Sequence, residues 1–554
     1  MSARTRASSA AAGGGDSFLV VAALDTPAKL KSRADYVCDG TNVTGGDEVE
    51  INTALGVSNV VILCPGTFWT SQPIVMASNK GLIGGGAGCI IKFRDAINAA
   101  RNMIANSDPT NGNDHITIKN LKLDGNKANN TVSAQRGIYF VKVGSGTGAT
   151  AKAGCLIEGC FIENFRREGI YLNNSYNSTI LANTAEANNW DGIVLEYSSN
   201  NVVSGNNCPG QGYQGINLTY ANNNTVTGNI CQGNKDAGIW VSYSNNNAIA
   251  GNVAQGSDYE GIYLDHSYKN TISGNIAQGN GTHGILLSFS DNNTVSGNVV
   301  QGNLGTEGAI YVSQSKNITI VGNDCRENAY SGILMSYANN STVVGNSCQG
   351  NQKAGIWIED TDNCTVSDNT CTENSQEATN TYDDIWIITC NYMNIDGNTC
   401  RAGALANKPR SGICIGWNAG DICTKNKVTN NDLYDDGFGT GALRVLVGVN
   451  ITTIIVGNRG YNPKGNVANP YPVAAGNLSD SAAAQAFPTT AVNYTVSESP
   501  KLITIYGGTI TSVSIDGVAT GQAGAASFAA YRLEPGQILN VVWTVQPSSV
   551  VYAT

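Results

Sequence analysis

The dipeptide Gly-Ile begins at Gly169, Gly192, Gly215, Gly238, Gly261 and Gly284, each 23 residues after the last, and the register continues with small slips through Gly332, Gly355 and Gly412. So strict a period confines the chain to architectures in which one short unit stacks on the next. A second marker, usually Gly-Asn, places Asn206, Asn229, Asn252, Asn275, Asn298, Asn323, Asn346, Asn369 and Asn398 at one point of successive units. Between residues 261 and 278 the runs GIYL, NTIS and NIAQ alternate as strands do, with Gly or Asn where the chain must turn through positive φ. Each unit is read as about three short strands. If one unit makes one turn, equivalent strands of successive units pair in parallel about 4.8 Å apart, which is an all-β, right-handed parallel β-helix of 23-residue coils.

Composition agrees with this reading. Gly reaches 65 residues and charged residues only 13%, which suits tight turns and short strands rather than helices. The 32 basic and 42 acidic residues give a formal charge of −10 without a basic run, so nucleic acid is not expected as a partner. No stretch approaches the roughly 20 apolar residues of a bilayer span, so no membrane insertion is expected. The run FLVVAAL at 18–24 is too short and wrongly flanked for a secretory signal. None of the fifteen cysteines forms a CxxC pair. Cys208, Cys231, Cys325, Cys348, Cys371 and Cys400 share one inward column, so the thiols are read as small core side chains, with no disulfide framework and no metal site.

Alternation assigns the columns of the Gly-Ile strand. Ile262 and Leu264 point inward, and by the same count so does the residue five places after the Gly: Tyr197, Tyr220, Tyr243, His266, Phe289, Tyr337 and Trp417. His266 is therefore expected inside an aromatic stack. The Asn column is expected to form an amide ladder that satisfies buried turn backbone.

The outward columns carry the candidate chemistry. Exposed rings in rows offer flat faces for sugars. The substrate-binding candidates are Trp190, Tyr213, Trp240, Tyr259, Tyr263, Trp357, Tyr382 and Trp386, with Glu359 beside them. Directly before the Gly lie Glu168, Asp191, Glu260, His283, Glu307 and Asp383; four places after it lie Glu196, Asp265 and Glu359. Glu260, Asp265, His283 and Glu307 are the catalytic candidates, because carboxylates about 5–9.5 Å apart can serve glycoside hydrolysis. Two insertions, SQEATNTYDD and RAGALANKPR, fall in adjacent coils and are expected to build a rim with Glu377, Tyr382, Asp383 and Arg410.

The N-terminal part reads as an amphipathic segment, Asp47 to Leu55, then the strand VVILCPGTF and a glycine-rich turn, Gly84 to Gly88. In these features the chain resembles the pectate lyase-like superfamily from about residue 25 to 460. The resemblance implies a polysaccharide partner and no cofactor, calcium entering only if the chain is a lyase. Lyases of the superfamily pair the metal with a basic residue, and the midsection here offers few: Lys235, Lys269, Lys316, Arg326 and Lys353. The epimerase-like Asp-Pro-His motif is absent. The expected organisation is a polar leader at 1–24, a cap and first coils at 25–110, the β-helix at 111–460, a linker at 461–490 and a small antiparallel β module at 491–554. That layout resembles a phage tailspike, which implies a homotrimer with other virion proteins as partners and a place on the virion or outside the cell. A tailspike-like protein that binds and depolymerises a surface polysaccharide is the leading expectation. A secreted lyase, hydrolase or epimerase, and a non-catalytic virion or surface protein, are the alternatives.

Overall fold

A computed structural model describes residues 18–416 except 133 and 146–151, short pieces between 423 and 458, and the backbone of strands after 490. The chain divides into two compact units, residues 1–311 and 312–554.

In the first unit three parallel sheets wind around one core. In the Gly-Ile sheet, Ile170, Ile193, Ile216, Ile239, Ile262 and Ile285 pair in register from coil to coil. Its side chains alternate between a buried inner face and an outer face, as in Ile262–Asp265. The second sheet stacks strands such as Thr225–Thr227, Ala248–Ala250 and Thr271–Ser273, and the third stacks Ile230–Gln232, Val253–Gln255 and Ile276–Gln278. The Gly-Ile glycines are compelled by packing: a Cβ on Gly261 would lie 2.6 Å from the Gly284 carbonyl oxygen.

The marker asparagines form the expected ladder. Asn252 Nδ2 donates to Asn275 Oδ1 (3.0 Å) and Val226 O (2.9 Å), while its own Oδ1 accepts the Asn229 backbone N–H (2.9 Å). A second amide row, Asn201, Asn224, Asn247 and Asn270, does the same at another corner. Each buried turn thus satisfies its polar groups through the next coil. Cys208 and Cys231 lie in the core, fully buried and free.

The cap begins inside the stretch read as a leader, because Phe18–Ala22 pairs in parallel with Val60–Leu63. Helix Glu48–Val57 buries Ile51, Ala54 and Leu55. Its Asn52 side chain accepts the Val75 N–H (2.8 Å) and donates to Pro73 O (3.1 Å). It thereby covers backbone of Ile74–Met76, a strand of the Gly-Ile sheet, which would otherwise be open to pairing.

The stack of rings at position five does not point inward. Tyr197, Tyr220, Tyr243, His266 and Phe289 take φ of 47–51°, so the strand ends one residue earlier and the next side chain swings out. The inward place goes to the following serine: Ser267 Oγ donates to Val241 O (3.0 Å) and Asp265 O (2.8 Å). The rings do stack, with His266 4.9 Å from Tyr243 and 5.0 Å from Phe289 at 15° and 14°, but on the outside.

In the second unit Ile333, Ile356, Ile385 and Ile413 continue the same kind of sheet. Cys325, Cys348, Cys371 and Cys400 stack as a buried row of free thiols. After residue 490, Ala491–Thr495 pairs antiparallel with Ile538–Val545, and Lys501–Tyr506 antiparallel with Phe528–Leu533 and Ser549–Ala553. Trp417 and the expected linker at 461–490 lie outside the described residues.

Candidate functional site

The outer face of the Gly-Ile sheet in the first unit holds two polar centres. The first surrounds Tyr263. This side chain stands on Ile262–Asp265 beside Trp240, ring to ring at 5.0 Å and 58°. Burial, then the negative charges of Asp265 and Glu260, push the Tyr263 phenol up to about 12. Asp265 Oδ1 accepts from His266 Nδ1 at 2.8 Å. Because a carboxylate accepts, Nδ1 carries the proton and Nε2 is the basic nitrogen. Nε2 has no protein partner among the described residues. The ring is held between Tyr243 and Phe289, so its orientation is fixed by stacking while its edge meets solvent.

The four catalytic candidates do not converge. Glu260 precedes the strand Ile262–Asp265 and Asp265 ends it, with the Tyr263 phenol feeling both charges. Their side chains are also tied in different directions, Glu260 Oε1 to Thr282 Oγ1 (3.0 Å) and Asp265 to His266. His283 is buried, donates from Nδ1 to Gly308 O (2.9 Å) and lies 3.5 Å through Nε2 from Glu307 Oε2. Glu307 sits out of the expected column: Gly261 N–H donates to His283 O, the residue before the next Gly, whereas Gly284 N–H donates to Ala309 O and not to Glu307. The structure therefore regroups the candidates: Tyr263, Asp265 and His266 together, His283 with Glu307, and Glu260 apart.

The second centre lies toward the N-terminus of the same face. Glu168 is buried and paired with Arg136 Nε (2.6 Å) and Arg167 Nη2 (2.9 Å). On the next coil Asp191 accepts the Gln214 N–H (2.9 Å). Full burial, with the Glu168 charge adding to it, pushes the Asp191 carboxyl up to about 7 against that hydrogen bond. Arg167 lies 3.9 Å over Trp190, which meets Tyr213 at 5.7 Å. Both rings are largely exposed, as is Tyr259. Sequence reasoning placed Glu168 and Asp191 in the right column but missed Arg136, because the register was begun at Gly169. The signal was present: Gly137-Ile138 is one more member, Ile138 pairing with Ile170, and Arg136 directly precedes it.

In the second unit the paired insertions form a cover rather than an open rim. Arg410 clasps the buried Asp383 through Nε (3.1 Å) and Nη2, and Thr379 Oγ1 reaches Asn407 Oδ1 (2.7 Å). Trp386, expected outside as a sugar platform, is 2% exposed; it packs with Ala354 and Cys414 while Tyr382 and Trp357 close around it. Trp357 stacks on Tyr330 at 5.9 Å, and Lys353 stands 3.8 Å over Tyr330. The half-buried Glu359 carboxyl is pushed up by burial and by Asp360.

One cluster could offer ligands to a metal. Cys38, Asp47 and Glu50 bring donor atoms within 4.8 Å of one another at the cap. Both Asp47 oxygens already accept backbone N–H groups, from Gly40 and Trp69, at 2.7 Å each. Burial pushes Asp47 up to about 6 and Cys38 further upward. Asp47 ties the backbone at Gly40 to the strand at Trp69. No helix among the described residues is long and apolar enough to cross a membrane.

Two family models match parts of the chain. "Right handed beta helix region" matches within residues 82–306, and "Periplasmic copper-binding protein (NosD)" matches 256–378 and 303–444. No curated protein matches. Among solved structures, a tailspike protein mutant of E. coli bacteriophage HK620 matches with TM-score 0.50 and 12% identity over 94% of this chain and 90% of that one. The catalytic unit of a GH87 alpha-1,3-glucanase from Streptomyces thermodiastaticus gives 0.38 and 15%, over 76% and 67%. A mannuronan C-5 epimerase A-module of Azotobacter vinelandii gives 0.33 and 16%, over 76% and 97%. At these identities the likeness is one of fold: the chain is a right-handed parallel β-helix of the pectate-lyase-like kind.

Proposed function

We propose that this chain modifies a polysaccharide, holding it on the outer face of the Gly-Ile sheet in the first unit and moving protons with His266, Asp265 and Tyr263. The observation that carries the reading is the 2.8 Å contact between Asp265 and His266 beside the Trp240–Tyr263 ring pair. Asp265 orients the imidazole, His266 Nε2 takes a proton, and the Tyr263 phenol, two residues from Asp265 and hence about 7 Å along the same face, supplies one. Trp190, Tyr213, Trp240 and Tyr259 are the platform on which the chain of sugars lies; in the second unit Trp357, Tyr382 and Glu359 are candidates of the same kind. A base and a phenol on one side of a sugar suit elimination or water activation better than the opposed carboxylates of a retaining hydrolase, whereas epimerisation needs acid and base on opposite faces of the ring. The relatives whose names carry such activities are an epimerase and a glucanase, and the setting we favour is extracellular.

A second reading, a trimeric virion tailspike with 23-residue coils and a separate C-terminal β module, draws support from the tailspike match, which spans nearly the whole chain. Incubating the protein with a panel of polysaccharides, followed by reducing-end and unsaturated-uronate assays, tests the first reading. Product formed by the wild type and abolished in Asp265→Asn supports it; product that survives that substitution overturns the assignment of residues.

A further inference from the structure

We infer that the cavity between Arg101 and Arg136 is an anion subsite that receives a carboxylate or sulfate group of the polymer. This deepens the reading above and rests on it for the polymer, though not for the anion. The cavity measures about 260 Å³ and opens on the N-terminal coils of the first unit, with Gln72 and Asn102 among its walls.

Its guanidinium donors are only partly committed. Arg101 gives Nη1 to the neighbouring Ala100 carbonyl (2.9 Å), while its buried Nε has no partner. Arg136 spends Nε on Glu168 and lies over the rings of Tyr139 and Tyr171 at 5.0 and 5.1 Å, and its Nη groups meet no acceptor among the described residues. A buried guanidinium nitrogen without an acceptor is costly, and a planar two-oxygen anion is the ligand that satisfies it. The carboxylates at its border are already engaged. Glu48 accepts from the Ser71 and Gln72 backbones, and Glu168 is shared between Arg136 and Arg167. Two guanidinium groups line the cavity, while Glu48 and Glu168 at its border are committed to other donors, in a chain whose formal charge is −10. Two guanidinium groups in one cavity offer an anionic group of the polymer donors that the acidic remainder of the surface does not.

Arg136 stands three residues before Tyr139 on one strand, in the column of Glu168, Asp191 and Glu260, and Tyr139 is in register with the proton-transfer centre. From Tyr139 the pairing runs through Tyr171, Val194, Asn217 and Trp240 to Tyr263. Five strand spacings are about 24 Å, a length that only a chain of several sugars spans. A charged unit anchored at Arg101 and Arg136 fixes which later unit reaches His266.

The test is binding to an array of acidic and neutral glycans, then calorimetry of the best binder with wild type, Arg101→Gln, Gln72→Ala and Trp240→Ala, alongside thermal shift with inorganic sulfate. The expected results are acidic best binders, a roughly tenfold or greater loss in Arg101→Gln, a smaller one in Gln72→Ala, and weakening by salt. A sulfate-dependent rise in melting temperature that Arg101→Gln abolishes supports the anion subsite even if no glycan is modified, and then the proposed function falls alone. Neutral glycans whose binding Trp240→Ala weakens and Arg101→Gln leaves intact would overturn the subsite and leave the proposed function standing. Absence of both glycan and sulfate binding overturns the two together.

Discussion

Asp191 and Asp265 stand on the same sheet face three coils apart, and their surroundings make them different acids. Asp191 is sealed between Gln214 and the charge of Glu168, so burial pushes it up to about 7. Asp265 sits at the end of its strand, partly exposed, with His266 in direct contact. They occupy different places in the repeat, Asp191 directly before Gly192 and Asp265 four residues after Gly261, and the neighbouring coil widens the difference. Around Asp191 the neighbours are the Gln214 backbone and the carboxylates of Glu168 and Asp236, which hold its proton. Around Asp265 they are an imidazole and a phenol, which suit proton transfer.

That contrast yields graded expectations. The largest effect is on turnover: Asp265→Asn replaces an acceptor-only, charged carboxylate by an amide that no longer dictates the imidazole tautomer and should lower activity by about 10²–10⁴-fold, while Glu260→Gln, at a group held by Thr282, should cost far less. Equal losses in the two variants would erase the grouping. Next is the scaffold that both centres share. Asn252→Ala strands the Asn229 N–H and the Val226 carbonyl in the core, and should destabilise the protein by about 3–5 kcal/mol in denaturant unfolding.

The third effect sharpens the difference in pH response. A carboxyl raised in the fold contributes its full stability below its unfolded value near 3.8 and loses it as pH rises through about 7. At pH 8 the wild type therefore carries an ionised buried Asp191, at a cost on the order of 4 kcal/mol. Asp191→Asn, which keeps the oxygen facing Gln214, should melt higher than wild type at pH 8 and show little gain at pH 4. Comparing melting temperatures across that range checks the sign. The smallest effect is Phe289→Ala, which removes one face of the exposed stack at His266 and should cost about 1 kcal/mol or less.

Much of this arrangement is legible in the sequence, and the misses share a physical cause. The 23-residue period, the Asn ladder and the cysteine column follow from spacing alone, because a repeat forces equivalent residues into register. Alternation, however, holds only while the strand lasts. His266 was placed inside by counting one residue past its end, through a φ of 47° that nothing in the pattern announces at a Tyr, His or Phe. Trp386 was placed outside correctly with respect to its sheet, yet two insertions laced by Arg410 and Asp383 bury it. Arg136 escaped notice because Gly137 stands 32 residues before Gly169, outside the regular spacing. Long-range cover and register slips are decided by tertiary packing, which a single period does not encode.

The most direct test is His266→Phe, assayed on whichever polysaccharide the wild type converts. Phenylalanine preserves the stack between Tyr243 and Phe289, so melting temperature and glycan affinity should stay within error of wild type while product formation falls by about 100-fold or more. A His266→Phe protein that folds, binds and turns over at the wild-type rate would contradict the assignment of proton transfer to this residue.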